Sequence, residues 1–342
     1  MTLPRIFLFI SLVLFGAIGV AAIVKRKAAK VEVVQLQESE PAKTQVIEID
    51  LSQLHTATPV KPPVQAQIVQ TQTEEKPRDV PQPLSVDVPD VDRIELLFQK
   101  NSPLPIVQTI PYKSKVSWKT GRSAWLVDYA AHYKTHLHFI ARSMNGKADY
   151  NPRPAAEGQL FNVLSSNINF NFHLVIDISR CKLFLYAVMP DQQEHVLLKT
   201  YNVGLGRPDS SKPSGSLTPT GKYSLGSRIA IYQPKMMGNY RGKRTEMITV
   251  FGTRWIPFEK EVGPCSEPAK GYGIHGTPWH LNSEGRLVDN TESIGKYESD
   301  GCIRLRAQDV EEIFAIITTH EAIVEIVSDF SKVVLPGKDK MY

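Results

Sequence analysis

Cysteine is scarce in this chain: Cys181, Cys265 and Cys302 are the only three in 342 residues. So few cannot build the disulfide framework of a small secreted scaffold, and an odd number leaves at least one thiol free. Long apolar runs are equally rare. The one long apolar run, residues 6–24, carries no charge and is long enough to cross a bilayer at ~1.5 Å per residue. Residues 31–90 contain no glycine and no aromatic residue, but eight prolines and nine glutamines. Such a stretch has little to bury against the entropy of ordering, which excludes a packed core there. Neither sign of charge dominates, with 40 Lys and Arg against 35 Asp and Glu and a net charge of +5. No stripe of basic residues with interleaved aromatics is present, which argues against a nucleic-acid-binding surface. The mild basic excess suits an anionic wall or membrane surface.

These absences divide the chain. Residues 1–5 precede the apolar run at 6–24, which is either an uncleaved membrane anchor or the core of a signal peptide, its length favouring an anchor. Lys25, Arg26, Lys27 and Lys30 come directly after the run, and the positive-inside tendency alone would keep the large C-terminal part in the cytoplasm. Residues 25–90 read as an extended, Pro- and Gln-rich disordered linker.

Periodic pattern returns after residue 91. A strand is expected at 115–118, a turn and cap at 119–123, a helix over 124–133 with Leu126, Tyr129, Ala130 and Tyr133 on one face, a second helix over 137–144, and a strand at 158–163. From 167 the period changes to two. Residues 173–186 read as a hairpin turning at 179–182, with a strand over 196–203. Thr218-Pro219-Thr220-Gly221 reads as a turn before a strand. One helix follows, opened by Asp309 with Val310, Ile313, Phe314 and Ile317 as its apolar stripe, then a last strand to 327 and a tail over 331–342.

Two short segments carry chemistry: Ile274-His275-Gly276-Thr277 and Ser299-Asp300-Gly301-Cys302-Ile303-Arg304-Leu305. A free thiol has a pKa near ~8.5 and needs a neighbouring base to become a competent nucleophile. His275 is the natural partner of Cys302 in acyl transfer through a thioester. The backbone N–H groups of Asp300, Gly301 and Cys302 are candidate oxyanion-hole donors. Asp300 beside the thiol would disfavour a thiolate, so its carboxylate is expected to point away or to pair with a cation such as Arg304. Arg304 offers a planar fork for a substrate carboxylate, and Ser299 and Thr277 are further candidate substrate contacts. Residues 279–298, polar with Gly285 and Gly295, read as a flap over the cleft or as a disordered insertion. Gly204-Leu205-Gly206 lacks the third glycine and the helix of a dinucleotide site. The spacing of His275, Asp300 and Cys302 offers no C-x-x-C or H-x-x-x-H pattern for zinc, so neither metal nor cofactor is expected.

The two segments resemble the active-site signature of the L,D-transpeptidases (YkuD-type domains), bacterial enzymes that cross-link peptidoglycan. Asp300 stands where that family usually has histidine, and 27 positions separate His275 from Cys302, more than in compact members. The resemblance implies that Cys302 is the nucleophile, that His275 is the base, and that the Gly276 carbonyl orients the imidazole. The strand, two helices and strand over 91–165 resemble a LysM module, which binds the glycan of peptidoglycan. Leu126 to Tyr133, Asn145 and Gly158-Gln159 carry that likeness, while Arg122-Ser123 replaces the customary Asp-Thr.

Together these readings give an α+β chain: an N-terminal transmembrane helix, a small β-α-α-β LysM-like module, and a mainly-β YkuD-like domain over 167–330 with one packed helix. The expected partners are the stem peptides and glycan of peptidoglycan, with the inner membrane held through the anchor and the rest of the chain exported. The expected activity is thioester acyl transfer forming 3→3 cross-links. The alternatives are a carboxypeptidase or cross-link hydrolase using water, or an inactive wall-binding scaffold. The sequence leaves open the oligomeric state and any pairing of Cys181 with Cys265.

Overall fold

The computed structural model describes residues 88–145 and 154–342. The apolar run at 6–24 and nearly all of the linker lie outside the described residues. Among the described residues no helix is long and apolar enough to cross a membrane.

The first folded part contains α1 (Glu95–Phe98), β1 (Val107–Pro111), α2 (Leu126–His132), α3 (Leu137–Asn145) and β2 (Leu160–Leu164). β1 and β2 pair antiparallel, with Val107 opposite Leu164. The first strand therefore lies upstream of the expected 115–118. That segment is instead a turn, closed where Lys119 N–H donates to the Val116 carbonyl at 3.3 Å. Val107 and Ile110 can bury their side chains from β1, whereas Val116 and Trp118 stand among lysines and serine and pack only at the rim of the small core. Tyr112 and Tyr129 pin the excursion between β1 and α2: their hydroxyls donate to the carbonyls of Ala124 (2.6 Å) and Lys113 (2.9 Å).

The rest is built on β3 (Asn171–Asp177), β4 (Lys182–Met189), β5 (Glu194–Asn202), β6 (Leu205–Gly206), β7 (Gly221–Leu225), β8 (Ala230–Ile231), β9 (Met237–Tyr240) and β10 (Lys243–Glu246). The one-turn helix α4 (Ile248–Phe251) follows. Then come β11 (Arg254–Glu261), β12 (Gly273–Gly276), β13 (Trp279–Leu281), β14 (Leu287–Asp289), β15 (Tyr297–Ser299), β16 (Ile303–Leu305), α5 (Ala307–Ile317), β17 (Ala322–Val327) and β18 (Lys338–Asp339). Ten of these strands form one mixed sheet, in the order β16-β12-β11-β7-β17-β3-β4-β5-β18 with β8 alongside β11. The β12/β16, β3/β17 and β5/β18 pairs are parallel, so the expected tail at 331–342 adds a short edge strand.

Both faces of the sheet centre are covered. Leu174, Ile176, Leu183 and Leu185 face the main core beneath α5, while Val175, Phe184, Tyr186 and Val188 face a second cluster closed by Phe330, Val333 and Leu335. A strand buried on both sides reads as a continuous apolar run rather than a clean alternation. The apolar stripe of α5 is fully buried, with Val310 and Ile313 at 0% exposure. The module does not close its own core alone: Leu97, Phe98, Phe139 and Leu164 join the main core. Arg142 of α3 also donates to Glu312 of α5 at 2.5 Å.

Candidate active site

The site begins at the edge pair β12 and β16. They run parallel, with Ile274 opposite Ile303 and His275 opposite Arg304. Ile274, Ile303 and Leu305 are fully buried in the core, so alternation places His275, Arg304 and Cys302 on the other face. Strand spacing and rise put the Cα atoms of His275 and Cys302 about 8 Å apart.

His275 is 4% exposed. Its Nδ1 lies 2.7 Å from the Gly276 carbonyl. A carbonyl only accepts, so Nδ1 carries the proton and Nε2 holds the lone pair. The ring is walled by Phe251, edge-on at 5.4 Å, and by Trp255 at 5.9 Å between centroids. Burial lowers its pKa to about 4, against the opposing pull of the Gly276 carbonyl. The resting imidazole is neutral and ready to accept a proton.

Cys302 is half-buried, and its thiol points to the Gly271 carbonyl at 3.7 Å. Burial pushes the thiol up to about 11, while the backbone N–H of Gly273 and the charge of Arg304 pull it down. Cys302 thus rests as a thiol, not a thiolate.

The turn that presents it is held from two sides. Ser299 Oγ donates to the Cys302 carbonyl (2.7 Å) and accepts from Gly301 N–H (3.1 Å). Thr218 Oγ1 donates to the Gly301 carbonyl (3.0 Å) and accepts from Gly206 N–H (2.7 Å). Gly301 has φ +119°, and a Cβ there would stand 2.6 Å from both the Leu217 carbonyl oxygen and the Tyr272 ring. Only glycine fits.

These contacts bear on three expectations. Ser299, expected as a substrate contact, is 1% exposed, and its hydroxyl is engaged within the turn, which it braces. Thr277 is fully buried; its hydroxyl donates to Asp289, whose other oxygen accepts from Ala307 N–H at 2.9 Å at the start of α5. That pair ties the His275 strand to the helix, and Asp289 rather than Asp309 caps α5. Gly301 N–H is already taken by Ser299, which leaves the N–H groups of Asp300 and Cys302 as possible oxyanion donors.

Asp300 points away from the thiol, but its partners are not Arg304. Oδ1 accepts from Arg207 Nη2 at 2.5 Å and Oδ2 from Arg241 Nη2 at 2.9 Å. Exposed pairs of this kind are worth at most about 1 kcal/mol each. Arg241 is the tip of the β9–β10 hairpin, where positive φ at Arg241 (+50°) and Gly242 (+76°) makes a two-residue turn. Tyr240 packs edge-on against Phe251 at 5.6 Å between centroids, and Phe251 in turn walls His275. The hairpin reaching the site is therefore β9–β10. Residues 279–298 are ordered, which sets aside the disordered-insertion alternative: β13 and β14 pair antiparallel, and β15 lies parallel to β6. The sequence reading missed Arg207, Thr218 as a buttress, and Arg241; the Arg241-Gly242 turn was the one local signal.

Arg304 forms no ion pair among the described residues, and its buried Nε has no partner there. Its backbone bonds Gly204 in both directions, at 2.8 and 2.9 Å, which fixes the base of the side chain. Cys181, Cys265 and Cys302 all carry free thiols. Among the described residues no group of three or more His, Cys, Asp or Glu side chains could hold a metal ion.

Residues 171–327 match the family model of the L,D-transpeptidase catalytic domain, YkuD. The match runs from the first strand of the large sheet to β17 and contains His275, Cys302 and Arg304. A curated relative, YqjB of Bacillus subtilis (strain 168), itself an inferred L,D-transpeptidase, is 30% identical over 117 residues. That alignment covers 34% of this chain and 53% of YqjB, so the chain spans about half the length of its relative. Among solved structures, Bd1075 of Bdellovibrio bacteriovorus is 17% identical, covering 48% of this chain and 50% of that one, with a TM-score of 0.32. Pgp2, a helical cell shape determining protein of Campylobacter jejuni, is 16% identical over 47% of this chain and 49% of its own, with a TM-score of 0.30. The matched segment holds the site and every strand of the large sheet except β18, and excludes the module before it.

Proposed function

We propose that this protein is a cysteine-dependent L,D-transpeptidase acting on peptidoglycan stem peptides. The observation that carries the reading is a buried imidazole, with its Nδ1 proton fixed on the Gly276 carbonyl, on the strand that pairs with β16, the strand Cys302 leads into. The matched YkuD domain supports it.

In this reading the Cys302 sulfur attacks the carbonyl of the diaminopimelyl residue in a tetrapeptide stem as His275 Nε2 takes the thiol proton. The tetrahedral oxygen is met by the N–H groups of Asp300 and Cys302. His275 returns the proton to the departing D-Ala amine. An amine of a second stem then attacks the thioester, giving a 3→3 cross-link and restoring the thiol. Because neither group is charged at rest, the proton moves as the sulfur attacks rather than beforehand.

The substrate lies outside the cytoplasmic membrane, so the reading includes export of the domain, with the apolar run at 6–24 as anchor or signal. The β-α-α-β module would hold glycan beside the site in the manner of LysM. Incubating the purified protein with tetrapeptide muropeptides and analysing products by mass spectrometry tests the activity. Dimers linked 3→3 are expected, and they should vanish in Cys302→Ala. Shortened monomers alone would show that water is the acceptor, and no product from either route would overturn the reading.

A further inference from the structure

Three arginines stand about the turn that carries Cys302, and one carboxylate is shared among them unevenly. Arg207 and Arg241 both hold Asp300, whereas Arg304 has no hydrogen-bond partner for its buried Nε among the described residues. The three come from different elements: Arg207 follows β6, Arg241 is the tip of the β9–β10 hairpin, and Arg304 lies in β16. Asp300 is two residues before the sulfur-bearing Cys302. The Asp300, Arg207 and Arg241 side chains are 50%, 57% and 65% exposed, so a solute reaches each of them directly.

We propose that Arg207 and Arg241 form a carboxylate subsite for the peptide substrate, filled by Asp300 in the free protein and taken over by a substrate carboxylate on binding. A guanidinium that accommodates one carboxylate oxygen of Asp300 accommodates the same group on a ligand. An exposed ion pair is weakly held and screened, hence readily exchanged. The alternative, a fixed structural clasp, would bury its charges or add further bonds, and Asp300 has neither. Exchange also has a mechanical consequence. Arg241 is carried by the hairpin whose Tyr240 packs on Phe251, which walls His275, so a ligand held by Arg241 rests against the same elements that fix the base. The identity of the ligand as a stem peptide rests on the transpeptidase reading; the subsite itself rests on the arginine pair.

Isothermal calorimetry on Cys302→Ala, which binds without forming a thioester, separates the two. The probes are a tetrapeptide stem with a free C-terminal carboxylate and the same peptide as its carboxamide. Asp300→Asn in that background removes the internal competitor and should tighten the acid about tenfold while leaving the amide unchanged. Arg207→Gln and Arg241→Gln should each erase the preference for acid over amide, with thermal melts unchanged because both side chains are exposed. A preference that survives both substitutions, or an Asp300→Asn variant that binds the acid more weakly, overturns the subsite. If neither peptide binds, the peptidoglycan reading fails, and glutarate then tests the subsite alone. Thermal protection by glutarate that disappears in Arg241→Gln upholds it; no protection overturns it.

Discussion

His275 Nδ1 donates to the carbonyl of Gly276, the next residue along the chain, at 2.7 Å. That bond does locally what a separate carboxylate does in a Ser-His-Asp triad: it selects one tautomer and holds the ring. A carbonyl carries no full charge, so it does little to stabilise an imidazolium. With burial on every side, the pKa of His275 is lowered to about 4 and that of Cys302 is raised to about 11.

The first prediction comes from those two directions. If His275 is the base of the proposed reaction, it stays neutral until protonated near its low pKa and Cys302 stays protonated until its high one, so kcat/KM should be level between roughly pH 5 and 10. Thiolate absorbance at 240 nm should likewise show no titration near neutrality. An inflection between pH 6 and 7 in either measurement, lost in His275→Ala, would reveal a preformed ion pair and contradict this account.

The second concerns the turn. Ser299→Ala removes the donor to the Cys302 carbonyl and frees Gly301 N–H inside the protein. The stability loss should be about 1–3 kcal/mol in urea unfolding. Acylation should slow with KM little changed, because the hydroxyl touches the turn and not the ligand. Gly301→Ala should be worse, since positive φ and two contacts at 2.6 Å cannot both be relieved. A Ser299→Ala enzyme with normal kcat and raised KM would return this residue to the substrate-contact role.

Much of this was legible in the sequence where the signal is local. The α5 stripe, the hairpin of β3 and β4, and the pair of glycine-flanked segments around His275 and Cys302 are each contained within a few residues. The partners of Asp300 were not legible, because Arg207 and Arg241 lie 93 and 59 positions away and only the folded sheet brings them together. The β9–β10 hairpin was missed for another reason: Met237-Gly238-Asn239-Tyr240 lacks β-branched residues, and its strands pair only with each other. Ser299 and Thr277 read as polar residues near a site. Their burial, which makes them braces, is a property of packing.

The third prediction concerns acid. Burial lowers the pKa values of His136, His138, His275 and His320 to about 4. In the unfolded chain each titrates near ~6.5, so between those values the unfolded state binds more protons and stability falls as pH falls. Above about pH 6.5 these four contribute no slope, and near pH 4 their contribution levels off as the folded state also takes up protons. The urea midpoint should drop steeply from pH 6.5 to 4.5, and His320→Phe should make that drop shallower. Equal midpoints across the window would contradict the burial of these rings.

The last prediction tests how the module is held. Glu312 of α5 is 4% exposed and accepts from Arg142 of α3, from Lys199 and from the Tyr201 hydroxyl. Lys199 has a second partner in Asp92 at 3.1 Å, but the 6%-exposed Arg142 has no other ion pair among the described residues. Glu312→Ala should therefore leave a buried guanidinium uncompensated and cost about 3–5 kcal/mol in urea unfolding. Arg142→Met combined with Glu312→Leu replaces the charge pair with apolar volume and should recover most of that loss, since a buried pair contributes little beyond its own desolvation. If the double variant is as unstable as the single one, the penalty comes from Lys199 and Tyr201 losing their shared acceptor. The bond between α3 and α5 would then be incidental to the joint between module and sheet, and the shared apolar core around Phe139 would carry it.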